Sequence, residues 1–82
     1  MMSADNHDQV MEAFRSAMRL ESRFALRDEM GFDDIPGWDS LGHMNLVVEL
    51  ESRFGISLDI DDIAMIDSVK AVRELVAREQ AR

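Results

Sequence analysis

From Leu41 to Phe54 the chain has no proline and no glycine other than Gly42, and it is dense in Leu, Val, Met and Glu. A run of that composition forms one continuous helix. Pro36 and Gly37 mark a turn ahead of it, and Asp39 or Ser40 can accept a hydrogen bond from a free N–H of the first turn. Ser40 then stands at the positive end of the helix, with its hydroxyl free to face solvent. At about 100° per residue, Leu46, Val47, Leu50 and Phe54 share one sector and form a core-facing stripe. Leu41, Met44 and Val48 fall on nearly the opposite sector. An 82-residue chain has few elements with which to cover both faces. The second face is therefore expected at the surface beside Ser40, as a docking patch. A central helix buried on both sides is the competing arrangement.

That length bounds the chain to one domain, read as residues 1–82 with an ordered core over about 6–78 and frayed ends. The absence of cysteine excludes a disulfide framework, a thiolate metal site and a cysteine nucleophile. The first residues lack both a basic segment and an apolar run, so no signal peptide or membrane span is expected and the default location is cytoplasmic. A monomer is expected.

Charge is segregated. Between Arg27 and Lys70 the one base is Arg53, against Asp28, Glu29, Asp33, Asp34, Asp39, Glu49, Glu51, Asp59, Asp61, Asp62 and Asp67. The excess of acid therefore surrounds the Ser40 helix, while the two ends are slightly basic. Such a surface repels phosphate backbones, which disfavours nucleic acid as a partner, and it steers basic proteins towards itself. Solubility alone would not require the segregation.

Taken in order, Asp5 or Asn6 can cap a first helix over about Asn6 to Leu20. Val10, Phe14, Ala17 and Met18 lie on its inner side, and Glu12, Arg15 and Arg19 on the outer. The pentapeptide Leu20-Glu21-Ser22-Arg23-Phe24 recurs at Leu50 to Phe54, but its flanks do not match, so no repeat architecture follows. The first helix could extend to Phe24. Arg27 to Trp38 is a long connection, with Leu26, Met30, Phe32, Ile35 and Trp38 as anchors into the core. Gly55 ends the central helix, and Ile56 and Leu58 turn inward. Asp59 caps a short helix through Ile60, Ile63 and Ile66. An EF-hand is excluded there, since the sixth position of such a loop is not glycine and Lys70 holds the twelfth. Asp67 or Ser68 caps a last helix, in which Val69, Val72, Leu75 and Val76 face the core while Lys70, Arg73, Glu74 and Arg78 face water. Ala77 to Arg82 should fray. His7 and His43 are isolated and no carboxylate pair is constrained, so no acid–base pair, metal site or triad can be argued and the chain is read as non-catalytic.

Trp38-Asp39-Ser40-Leu41-Gly42-His43-Met44, followed by Leu50-Glu51-Ser52-Arg53-Phe54-Gly55-Ile56, resembles the acyl carrier protein family. The resemblance spans roughly Val10 to Val76. It implies an all-α, four-helix acyl-carrier-like bundle with three longer helices, one short helix and a long loop between helices 1 and 2, as the periodicities also suggest. It further implies that a separate phosphopantetheinyl transferase, using coenzyme A and magnesium, joins 4′-phosphopantetheine to Ser40, with Asp39 taking part in recognition. The arm would supply the thiol that this chain lacks. An acyl or aminoacyl thioester would then pass between loading and condensing or transfer enzymes with basic docking surfaces. Leu41, Met44 and Val48, with Glu49 and Glu51, would meet those partners.

His43 would lie near the root of the arm, either touching it or held by a local hydrogen bond. The cargo could fold back to a cleft lined by Leu46, Leu50, Phe54, Ile66 and Val72, unless these are plain core. Gly42, unfavourable in a helix, suggests close approach of the arm or a partner. The chain departs from the fatty-acid-synthesis members in having uncharged or weakly basic Gly42, His43 and Asn45 just after the serine. That favours a discrete carrier of a specialised polyketide, nonribosomal peptide or related pathway. The alternatives are a fatty-acid-synthesis carrier, or an unmodified acidic helical adaptor that uses the Leu41/Met44/Val48 face. A degenerate carrier is disfavoured by the intact Asp-Ser-Leu.

Overall fold

The central helix begins where Asp39, in extended conformation, accepts the Gly42 N–H on Oδ1 at 2.8 Å and the His43 N–H on its carbonyl at 2.7 Å. Asp39 is therefore the cap, and Ser40 is the first helical residue. In this computed structural model, which describes residues 7–81, four helices follow in the order α1 (His7–Met18), α2 (Ser40–Phe54), α3 (Ile60–Met65) and α4 (Val69–Gln80). The described residues include no strand beyond a single antiparallel bridge between Gly31 and Ser68.

Helix α1 is shorter than its periodicity suggests, and it does not reach Leu20 or Phe24. Arg19 adopts a left-handed conformation (φ 56°), and the Leu20 N–H folds back onto the Arg15 carbonyl at 3.0 Å, closing the last turn. The guanidinium of Arg15 then reaches the Phe24 carbonyl at 3.3 Å and holds the chain in its new direction. The proposed caps Asp5 and Asn6 lie outside the described residues. Met11 and Ala13 join Val10, Phe14, Ala17 and Met18 in the core, so the buried stripe of α1 is broader than expected.

Helix α2 buries Leu46, Val47 and Leu50 and half-buries Phe54, and it stops at Gly55, whose φ of 64° favours glycine. Glu51 then secures the next loop by accepting the Leu58 N–H at 2.9 Å. Helix α3 is entered through a capping box in which Asp59 and Asp62 each accept the other's backbone N–H. It ends at Met65. Ile66, its C-cap, is buried in the core and Ile63 packs against it partly buried, whereas Ile60 stands in solvent. Ser68, not Asp67, caps α4, which buries Val69, Val72, Leu75 and Val76.

The long loop is pinned at both ends of its course. Ile35 and Trp38 are buried, the latter edge-on to Phe14 with ring centres 5.1 Å apart. Phe32, expected inside, is 46% exposed and lies on the outer face of Trp38. Farther back, the carbonyls of Asp28 and Met30 accept the first free N–H groups of α4, those of Lys70 and Val69, at 3.0 Å each. Arg73 clamps the Asp28 carboxylate at 2.6 Å. The loop thus caps α4 from outside, satisfying donors that a helix start leaves open.

Gly42 has a different explanation from the one its position suggested. It is buried, and a Cβ there would collide with the Gly37 carbonyl oxygen and come within 2.9 Å of the Met18 sulfur. The close approach that demands glycine comes from this chain's own turn.

Candidate functional site

Ser40 is exposed, and its hydroxyl takes part in no hydrogen bond among the described residues, because Asp39 does the capping. The N–H groups of Ser40 and Leu41, left over at the helix start, favour an anion at this point. Beside the hydroxyl opens a cleft of about 490 Å³. Phe32, Trp38, Asp39, His43 and Met44 line it from the long loop and α2, and Ala64, Ile66 and Asp67 from α3 and the link to α4. A hydroxyl at the lip of an open, largely apolar groove, with an anion-favouring helix start beneath it, suits an exposed phosphodiester carrying a flexible chain.

The His43 ring is fully engaged with the protein. Trp38 Nε1–H donates to His43 Nδ1 at 3.0 Å, and His43 Nε2 is 3.0 Å from the Ile63 carbonyl oxygen. Since an indole only donates, Nδ1 accepts and the proton sits on Nε2. The imidazole and indole planes lie 15° apart, and the Phe32 ring packs 5.6 Å from the imidazole. His43 therefore stands in the wall near Ser40 through a local hydrogen-bond pair.

The outer face of α2 is as anticipated: Leu41 is 71% exposed, Met44 48% and Val48 61%. The two glutamates grouped with it are occupied within the chain. Glu49 accepts from Arg53 Nε at 2.9 Å and from the Ser16 hydroxyl at 3.0 Å, and Glu51 holds the Leu58 N–H. The guanidinium of Arg53 holds the Glu49 carboxyl below the usual glutamate value, with burial opposing and Ser16 assisting.

The cleft postulated along Leu46, Leu50, Phe54, Ile66 and Val72 is not where the open space lies. Leu46, Leu50 and Val72 are fully buried, and of the five only Ile66 lines the groove at Ser40. The residues that replace them, Phe32, Ala64 and Asp67, come from the long loop, from α3 and from the link between α3 and α4. Nothing in their local sequence marked them, since only the fold brings those segments to the start of α2.

Over residues 8–77 the sequence matches the family described as phosphopantetheine attachment site. This chain belongs to the acyl carrier protein family. Its fold is shared with the holo acyl carrier protein from Geobacter metallireducens, at a TM-score of 0.83 and 32% identity over 94% of this chain and 87% of that one. The acetyl actinorhodin acyl carrier protein from Streptomyces coelicolor matches at a TM-score of 0.73 and 27% identity, covering 92% of this carrier and 90% of the other chain. A chain described under the ishigamide ketosynthase/chain length factor shares the fold at a TM-score of 0.73 and 18% identity, over 98% and 100% of the two chains. The carrier is accordingly an all-α, non-catalytic protein whose prosthetic group is 4′-phosphopantetheine. Among the described residues, no group of three or more His, Asp or Glu could hold a metal ion, and no helix is long and apolar enough to cross a membrane.

Proposed function

We propose that Ser40 bears the phosphopantetheine arm and that this carrier moves an acyl or aminoacyl group between the enzymes of a specialised pathway. The observation that supports Ser40 is a solvent-facing hydroxyl on the first residue of α2, released from capping by Asp39 and placed at the mouth of the cleft. When bound, the arm supplies the thiol on which the cargo is held as a thioester.

The chain's own residues do the rest. Asp39 fixes the first turn, and Ser40 Oγ would bond to the phosphorus of the phosphopantetheinyl group as the pyrophosphate P–O bond of coenzyme A breaks, the serine proton leaving with adenosine bisphosphate. The free N–H groups and the helix dipole favour the negative charge that this leaves on the serine. Leu41, Met44 and Val48 offer partner enzymes an apolar landing face. The acidic surroundings draw in basic docking surfaces and are to be screened by salt. With their carboxylates tied inside the chain, Glu49 and Glu51 act on partners through that field.

One feature favours a polyketide, nonribosomal peptide or related pathway over fatty-acid synthesis: the first turn of α2 carries no acid.

Incubation with coenzyme A and a broad-specificity phosphopantetheinyl transferase should add the mass of one phosphopantetheinyl group to the wild-type chain and none to Ser40→Ala. A wild-type chain that gains no mass would overturn the attachment reading and leave an unmodified adaptor using the Leu41/Met44/Val48 face.

A further inference from the structure

We propose that His43 is a positioning residue: in its Nε2–H tautomer it ties α3 to the serine-bearing end of α2, and so sets the width of the cleft beside Ser40. The inference concerns the wall of the cleft, and it stands whether or not Ser40 is modified.

Helix α3 needs such a tie. It has six residues and none is buried, and a helix that short is not stable by itself in water. Ile60 is 82% exposed and Met65 70%. The capping box between Asp59 and Asp62 stabilises the start of α3 without fixing it to anything else. Asp62 meets Arg78 at 2.6 Å, with the guanidinium more than half exposed and the carboxylate mostly covered, but this pair ties α3 to α4 and not to α2. Towards α2, the partly buried Ile63 packs against the core, and its carbonyl receives the His43 Nε2–H. That bond joins two of the segments that line the cleft, α2 through His43 and Met44 and α3 through Ala64 next to Ile63.

The imidazole can serve as a fixed strut because its own orientation is determined from behind. Trp38 is only 4% exposed and is wedged edge-on against fully buried Phe14. Its indole N–H points at Nδ1 and thereby selects the tautomer. A continuous line of contacts therefore leads from the core through Trp38 and His43 to the Ile63 carbonyl. Widening the cleft between α2 and α3 means breaking the last link.

The test uses the unmodified chain, so its outcome is independent of whether Ser40 is the attachment point. In His43→Leu, amide hydrogen exchange at residues 63–66 should quicken about tenfold relative to wild type, with exchange in α1 and the middle of α4 unchanged. In His43→Gln, the side-chain amide nitrogen reaches as far as Nε2 and should restore most of the protection. His43→Asn matches Nδ1, keeps only the Trp38 bond and should not restore it. The wild-type ring should show a bare Nδ1 and a protonated Nε2 by nitrogen-15 chemical shifts of its neutral form. Unchanged exchange at 63–66 in His43→Leu, equal restoration by Asn and Gln, or the opposite tautomer would each overturn the assignment. If the leucine variant does not fold, the Gln/Asn comparison and the tautomer decide.

Discussion

Gly42 of α2 and Gly37 of the preceding turn meet backbone to backbone, with no room for a Cβ between them, and the Met18 side chain closes the gap from α1. The end of one helix and the start of the next are thus joined directly beneath Ser40. Gly42→Ala gains about 1 kcal/mol of helix propensity but forces a backbone-facing overlap that costs about 1–3 kcal/mol. A net loss of up to about 2 kcal/mol is expected by urea denaturation. A more stable alanine variant would show that the turn yields freely.

Capping and attachment separate by mutation. Asp39→Ala removes the acceptor for the Gly42 N–H and should lower stability by about 1 kcal/mol. Ser40→Ala touches an exposed hydroxyl that bonds to nothing among the described residues, so its unfolding curve should match wild type within about 0.5 kcal/mol. Thermal and urea unfolding of the two variants side by side checks the division of labour.

The two faces of α2 predict opposite tolerance. Leu46 is wholly enclosed, and Leu46→Ala should cost about 2–5 kcal/mol. Val48→Ala, on the outer face, should stay within about 0.5 kcal/mol while weakening association with a partner enzyme.

The Glu49 carboxyl, held below its ordinary value by Arg53 and Ser16, makes stability depend on pH. The folded pKa lies under the unfolded one, so the contribution is fully present above the unfolded glutamate pKa and is lost as pH falls through the folded value. Asp62 has the same sign. Desolvation raises its pKa, but the Asp59 N–H and Arg78 together outweigh that and bring it below normal. Across that acid range Glu49→Gln should lose less stability than wild type, by on the order of a few tenths of a kcal/mol because the pair is screened. Urea midpoints taken at neutral and acid pH supply the comparison.

Periodicity made the helices legible, because burying an apolar stripe dictates spacing wherever a helix packs. Leu46, Val47 and Leu50 of α2 and Val69, Val72 and Val76 of α4 lie where their spacing puts them. The helix start at Ser40 is legible in the same way, with Asp39 as one of its two candidate caps. What could not be read locally were the features made by tertiary contact. The identical pentapeptides at Leu20–Phe24 and Leu50–Phe54 take different structures, turn and loop in one place and helix in the other, since the left-handed Arg19 diverts the first. Phe32 and Trp38 are equally good anchors by residue type, and only the fold buries Trp38 and leaves Phe32 on its outer face to line the cleft. The need for glycine at position 42 likewise came from a carbonyl outside the helix.

The carbonyls of Asp28 and Met30 that complete the start of α4, together with the Arg73 clamp on Asp28, join segments as much as 45 positions apart. Closing so large a loop is entropically slow relative to forming neighbouring turns. This clasp is therefore expected to close after the neighbouring turns during refolding. Loosening it by Asp28→Ala should accelerate unfolding while leaving the refolding rate nearly as it was.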